Sequence, residues 1–451
     1  MLGPAFVASI AYVDPGNVAA NLTSGAQYGY LLVWVLVLAN LMAMLIQFQS
    51  AKLGIVTGRT LPEHVGARAR PATRRAYWVQ AEVVAAATDI AEVIGGALAL
   101  NLLFGLPLVV GGLIVGVVSM GLLLVQSSRR QRTFEFVIMG LLAVIAIGFL
   151  AGTVVSPIDW PEAAGGLVPR FEGAPTVLLA ASMLGATVMP HAIYLHSALA
   201  RDRHHAAYAR VAELTDFTTG PHPTPPSPRQ RRMFWAMADR ASVVPVIGPE
   251  TPSVPDVGSG TFAPSPSRLR TLLRATRGDV LIALFIAGVV NIAMLLLAAA
   301  SLRGVAGTDT IPGAYTAIDA ALGPVIATIF AIGLLASGLA STSVGAYAGS
   351  VIMKGLLTVR VPILVRRVVT LIPALAVLAA GIDPTWALVL SQVLLSVGIP
   401  FALIPLIRLT GDARVMGDFA DRMPVRIVSW TVAALIVALN VLLIALTITG
   451  A

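Results

Sequence analysis

An aspartate followed by three poor helix formers, Asp14-Pro15-Gly16-Asn17, stands in the middle of an apolar stretch running from about residue 2 to 26. Hydrocarbon demands an unbroken helix, because backbone groups freed by a break find no water there. A break at this place has to be buried in protein or line a cavity, and an acid set into it marks an ion pathway. A second interruption, Ala186-Thr187-Val188-Met189-Pro190-His191, lies inside another apolar stretch, where Pro190 removes a backbone donor and frees carbonyls near Ala186. A lone proline of this kind is as often a plain kink, so Asp14 carries more of the reading than Pro190 does. A third group, Glu82, Asp89 and Glu92, recurs at spacings of seven and three, which helical geometry places broadly on one face. A row of acids inside a span is a candidate proton relay. His191 follows the second break directly, and its near-neutral intrinsic pKa suits protonation or gating. A structural, hydrogen-bonding histidine suits the position almost as well.

The elements that must position these residues are membrane spans. Of 451 residues, 57% are hydrophobic and 12% charged, against roughly a quarter charged in soluble domains. Apolar runs of about 20 residues, long enough to cross a hydrocarbon core, alternate with short charged or Pro/Gly-rich stretches. Eleven spans are expected, at about 2–26, 30–51, 78–103, 107–126, 134–154, 175–199, 279–301, 324–353, 361–380, 386–407 and 427–449. Two broken helices five spans apart are the signature of an inverted-repeat transporter, with spans one to five (1–154) matched by spans six to ten from about 175.

Lys and Arg are distributed unevenly about these spans. With the N-terminus cytoplasmic, all but two of the 30 basic residues fall on inner loops and helix ends, and the outer side keeps Arg170 and Arg303. The positive-inside rule then places the C-terminus outside the cell membrane. The net charge of +8 is explained by these inner loops rather than by nucleic-acid binding. Residues 201–278 form a Pro-rich composition shift, expected to be a disordered cytoplasmic tether, in which Arg229, Arg231 and Arg232 beside Met233, Phe234 and Trp235 are weak candidates for contact with an anionic membrane surface. The chain has no cysteine, which excludes thiolate metal sites and disulfides, so any metal must use O, N or thioether donors. The start lacks a cleavable secretory pattern, so the first span is expected to be retained.

Through Asp14-Pro15-Gly16-Asn17 and Met189-Pro190-His191 the sequence resembles the Nramp family of metal-ion transporters. The resemblance extends to Gln27-Tyr28-Gly29-Tyr30, Asp89-Ile90-Ala91-Glu92, Tyr194-Leu195-His196-Ser197 and Tyr347-Ala348-Gly349. It implies an all-α polytopic membrane protein of LeuT-type fold, an inverted repeat of five plus five helices with an additional eleventh. It also implies import of Mn²⁺, Fe²⁺ and related ions coupled to protons, with the metal as cargo and no cofactor. Carried over by position, Asp14 and Asn17 give side-chain oxygens, Ala186 a freed carbonyl and Met189 its thioether. Ala11 adds a carbonyl and Gln392 on span ten closes the site in some states. The chemistry agrees: hard oxygens alone suit Mg²⁺ or Ca²⁺, and one soft sulfur shifts preference toward Mn²⁺, Fe²⁺, Co²⁺ and Cd²⁺. The resemblance further suggests that Arg366 and Arg367 neutralise the acid row of Glu82, Asp89 and Glu92, although plain positive-inside anchoring accounts for them too. His196 continues the line down span six. Departures are Ala192 and Ser350, where the family commonly has Asn and Gln, a missing polar leader and the Pro-rich insertion.

Three rivals fit less well. Asp14 beside Met189 argues against an organic-solute transporter for carboxylate substrates, and Met189 against a Mg²⁺ transporter. An Nramp-like membrane sensor is opposed by the intact ligand set. An enzyme is not expected, since no nucleophile elbow, phosphate loop or HExxH motif is apparent.

Overall fold

A computed structural model describes residues 4–127, 131–203, 266–357 and 363–449. Every regular element among the described residues is helical. Span one is split into Pro4–Ile10, a 3₁₀ turn at Ala11–Val13 and Pro15–Tyr28. Spans two to five are Val33–Thr57, Pro71–Phe104, Leu108–Ser127 and Gln131–Val155. Span six is split into Ala174–Thr187 and residues 190–203. Spans seven to eleven are Pro266–Ser301, Pro324–Leu357, Ile363–Ala379, Pro384–Thr410 and Met423–Thr449. Eight of the described helices are long and apolar enough to cross a bilayer, span six being counted from Ala174 to Arg203 through its break.

The burial pattern is that of a protein dissolved in lipid. Large apolar side chains face outward on peripheral spans, for example Val117 on span four, Phe136 on span five and Ile372 on span nine. Polar side chains are drawn inward instead, among them Asp14, Asn17, Asn21, Gln47, Glu92, Asn291, Ser337 and Gln392. Each of these needs a partner, because an unsatisfied polar group away from water is costly. Those partners are what bind the central spans one, six, seven, eight and ten to one another.

Span seven corrects one expectation. The 201–278 segment is not wholly a tether, because the helix of span seven already begins at Pro266. Leu269 and Leu273 are buried there against Ala51, Ile55 and Ala200 from spans two and six. Arg268, Arg270, Arg274 and Arg277 hide this extension from a hydropathy count, yet the apolar positions recur at helical spacing on one face. The remaining expectation of disorder, and the Arg229–Trp235 stretch, lie outside the described residues.

The ends of the bundle differ in charge. At one end a short helix, Leu61–Arg68, is held by a capping box in which Thr60 and Glu63 exchange bonds. Glu63 also receives Arg201 from the end of span six at 2.8 Å. His64 in this helix is boxed in: Arg68 donates to its Nδ1 at 3.0 Å and its Nε2 faces the Thr57 hydroxyl at 2.9 Å. Burial, with Arg68 and Arg59 nearby, pushes the His64 pKa down to about 4. At the opposite end Arg303 pairs with Glu162 at 2.7 Å.

Candidate metal site and acid row

Pro15 and Pro190 each stand four residues after an alanine, Ala11 and Ala186. Neither proline has an N–H, so neither alanine carbonyl can receive the ordinary α-helical bond from that position. In span one the chain responds by tightening into the 3₁₀ turn and then extending at Asp14 (φ −84, ψ 167). Asp14 thereby becomes the N-cap of Pro15–Tyr28, its Oδ1 accepting from the Asn17 N–H at 2.9 Å. In span six the helix ends at Thr187, Val188 donates back to the Leu184 carbonyl at 2.7 Å, and the helix restarts at Pro190.

The broken backbone of span one is satisfied by side chains from other spans. The Tyr12 carbonyl accepts from Asn17 Nδ2 at 2.8 Å and from Asn291 Nδ2 of span seven at 2.7 Å. Asn21 Nδ2 donates to Asn291 Oδ1 at 3.2 Å. Ser337 of span eight donates to the Val13 carbonyl at 2.6 Å. These bonds hold Asn17 through its amide nitrogen and leave its Oδ1 toward Thr187 of span six.

Span ten closes over the same point. Gln392 Nε2 donates to Asp14 Oδ2 at 3.0 Å, while the buried Gln392 Oε1 has no hydrogen-bond partner. Two glycines make this approach possible: a Cβ on Gly16 would collide with the Gln392 amide, and one on Gly185 with the Gln392 carbonyl. Thr187 Oγ1 reaches Asn17 Oδ1 at 3.5 Å, joining span six to span one. Hydrogen bonds therefore bring together Asp14, Asn17, Thr187 and Gln392, and Ala186 and Met189 flank Thr187 on the broken stretch. Ala11 lies on the 3₁₀ turn leading into Asp14. Asp14, Asn17, Ala186, Met189, Ala11 and Gln392 are all at most 1% exposed.

The donors these residues could offer a metal are one carboxylate, amide oxygens, a carbonyl released by proline and a thioether. Among the described residues no three His, Cys, Asp or Glu side chains gather into a metal group. Asp14 is thus the one formal charge in a set of otherwise neutral donors. Such a set compensates a divalent ion only partly, which suits an ion that must leave again.

Span three holds its acids differently. Glu82 pairs with Arg366 at 2.8 Å and Asp89 with Arg367 at 2.9 Å. Arg366 also donates to the Gly349 carbonyl of span eight, and Arg367 Nε to Ser119 Oγ of span four at 3.1 Å. Arg367 is wholly buried, so its charge cannot be left to water. Glu92, 1% exposed, keeps an Oε2 without a hydrogen-bond partner and lies beside Gly345 of span eight.

The two histidines go to separate places. His191 Nδ1 lies 3.3 Å from Thr88 Oγ1 of span three, four positions before Glu92 on the same helix. His196 Nδ1 lies 2.8 Å from Gln47 Oε1 on span two, and Gln47 in turn donates to the Tyr12 hydroxyl. Both histidines keep a buried Nε2 without a partner. Sequence reasoning missed Thr187, Gln47, Ser337 and Asn291. Of these Asn291 had a usable signal, an amide standing alone inside the apolar span seven.

This combination defines a class: a LeuT-type helical membrane protein in which two broken spans meet at a buried carboxylate. The match to that fold is seen in MhsT in complex with L-phenylalanine, with a TM-score of 0.54 at 12% identity over 97% of this chain and 98% of that one. The family follows from closer matches. The model of the Nramp family, natural resistance-associated macrophage protein-like, matches residues 5–446, and the chain belongs to that family. It is 54% identical over 450 residues to the divalent metal cation transporter MntH of Mycobacterium tuberculosis (strain ATCC 25618 / H37Rv), covering 100% of this chain and 92% of that protein. To the transporter of the same name from Bacillus subtilis (strain 168) it is 42% identical, covering 98% and 91%. The crystal structure of the Eremococcus coleocola manganese transporter in complex with an aromatic bis-isothiourea substituted compound superposes with a TM-score of 0.77 at 28% identity, covering 98% and 85%.

Proposed function

We propose that this chain is a divalent metal cation transporter that imports Mn²⁺, Fe²⁺ and related transition ions, coupled to protons, by alternating access. The observation that carries this reading is Asp14: a fully buried carboxylate at a helix break, bonded only to neutral groups. A divalent ion supplies the missing counter-charge, and Met189 favours a transition ion over Ca²⁺ or Mg²⁺. The metal would be held by Asp14, Asn17, Ala186 and Met189, with the Ala11 carbonyl and the unpartnered Gln392 Oε1 available as further oxygens.

Proton movement is assigned to the span-three row. Glu92 lies three residues after Asp89 on span three and has Asp89, Arg367 and Asp14 as its charged neighbours. His191 lies against Thr88 of the same span, so a proton released near Asp14 has acceptors at His191 and Glu92 and continues past Asp89 to Glu82, with Arg366 and Arg367 as fixed positive charges beside the path. His196, tied to Gln47 and Tyr12, serves instead to couple span six to the turn before Asp14. The basic end of the bundle is assigned to the cytoplasm, which puts the N-terminus inside and the C-terminus outside.

The test is Mn²⁺ uptake by purified protein in sealed liposomes, with interior pH recorded in the same vesicles. Saturable uptake accompanied by interior acidification is expected. Uptake without any proton flux would leave the metal assignment and remove the coupling.

A further inference from the structure

Spans two and seven and the turn before span eleven enclose a cavity of about 540 Å³ at the basic end of the bundle. Its wall has two parts. Leu41, Met44, Leu45, Phe48 and Leu281 make one part apolar, and Gln49, Lys52, Arg277, Asp421 and Arg422 make the other polar. Leu41 and Leu281 are 58% and 43% exposed, so the apolar part runs directly onto the surface that meets lipid tails.

The charges do not cancel. Lys52 and Asp421 pair at 2.7 Å, and Gln49 Nε2 donates to Asp421 as well, at 3.0 Å. That leaves Arg277 and Arg422, both exposed and without an ion-pair partner among the described residues. Gln49 is 1% exposed and its Oε1 has no hydrogen-bond partner, so one buried acceptor in the polar wall still awaits a donor.

We propose that this cavity is a binding site for an anionic phospholipid with a hydroxyl-bearing headgroup, phosphatidylglycerol being the simplest. The phosphate sits between Arg277 and Arg422, a headgroup hydroxyl donates to Gln49, and an acyl chain lies along Leu41, Met44 and Leu281. A free phosphate would use the arginines and leave the apolar wall bare. A choline lipid would bring a second cation against them. Basic pockets between spans at the cytoplasmic leaflet recognise acidic headgroups in this way. The leaflet rests on the orientation proposed above, whereas lipid retention is measured without transport, so failure of one reading is separable from failure of the other.

The experiment is native mass spectrometry of the full chain in detergent titrated with phosphatidylglycerol or phosphatidylcholine, comparing wild type with the Arg277→Gln/Arg422→Gln variant. Wild type should retain phosphatidylglycerol in preference to phosphatidylcholine, and the variant should hold it roughly thirtyfold more weakly, two surface cations having been removed. An unchanged melting temperature in phosphatidylcholine micelles confirms that the variant is folded. Equal retention of phosphatidylglycerol by both proteins, equal retention of the two lipids, or full displacement by millimolar inorganic phosphate would each overturn the proposal.

Discussion

Span one and span three both carry buried acids, and the two regions treat them in opposite ways. On span three Glu82 and Asp89 face guanidinium groups from span nine at 2.8 and 2.9 Å, so their charge is balanced inside the protein. At the break in span one Asp14 meets an amide N–H and a glutamine, at 2.9 and 3.0 Å, and no cation. A paired carboxylate has its counter-charge supplied by the protein, whereas an unpaired buried one calls for a cation or a proton from outside. Under the function proposed above the difference divides the roles: Asp14, which lacks a counter-ion, is assigned to the metal, and Glu82 and Asp89, which have one, are assigned with the unpaired Glu92 to the proton.

The largest effect should follow from removing the unbalanced charge. Asp14→Ala is expected to abolish saturable Mn²⁺ uptake while leaving the fold intact, because the remaining donors are neutral and the site is buried. Wild-type affinity and rate in this variant would end the site assignment.

The balanced pair should behave in a way that no metal ligand does. Asp89→Asn alone leaves Arg367 buried without its partner, a change that costs about 3–5 kcal/mol for a buried pair. Adding Arg367→Gln should recover much of that stability, and the double variant should take up Mn²⁺ with weakened pH dependence. Thermal unfolding of the single and double variants checks the first point. If the double variant is no more stable than Asp89→Asn, the pair is not the unit that its 2.9 Å separation suggests.

How much of this contrast was legible beforehand depends on the range of the contacts. Asp14 and the prolines at 15 and 190 announce themselves, because any acid or helix breaker in an apolar run conflicts with the bilayer locally. The spans were readable for the same reason. By contrast, the Tyr12 carbonyl is satisfied by Asn291 from 279 positions away, and Gln392 reaches Asp14 across 378, which no local pattern encodes. The Leu61–Arg68 helix was a different kind of omission. Its Thr60-to-Glu63 capping box is a local signature, passed over because a count of apolar spans ignores short polar helices. The early start of span seven at Pro266 was lost likewise, its arginines outweighing the spaced leucines.

Smaller effects sharpen the metal side. Met189→Ala replaces the thioether with room for water, whose oxygen serves hard and soft ions alike. Ca²⁺ should then inhibit Mn²⁺ uptake at roughly tenfold lower concentration, about 1.4 kcal/mol of lost discrimination. Superimposable competition curves from two folded, active proteins would return Met189 to plain packing.

The smallest expected effect lies outside both regions. His64 has its pKa pushed down to about 4, so between about pH 6.5 and 4 the unfolded chain binds a proton that the folded chain does not. Stability from this source is present above that window and falls as pH drops through it. His64→Gln should flatten the decline in melting temperature over that range. A decline as steep as in wild type would assign the acid sensitivity elsewhere.

The contrast between the two regions is tested most directly by recording Mn²⁺ uptake and interior acidification together for Asp14→Ala and for Asp89→Asn/Arg367→Gln, reconstituted at equal density beside wild type. The account predicts that the first variant loses Mn²⁺ uptake, while the second keeps Mn²⁺ uptake and loses most of the accompanying acidification. Uptake by Asp14→Ala at the wild-type rate, or acidification by the double variant indistinguishable from wild type, would contradict the division of labour between the unbalanced and the balanced acids.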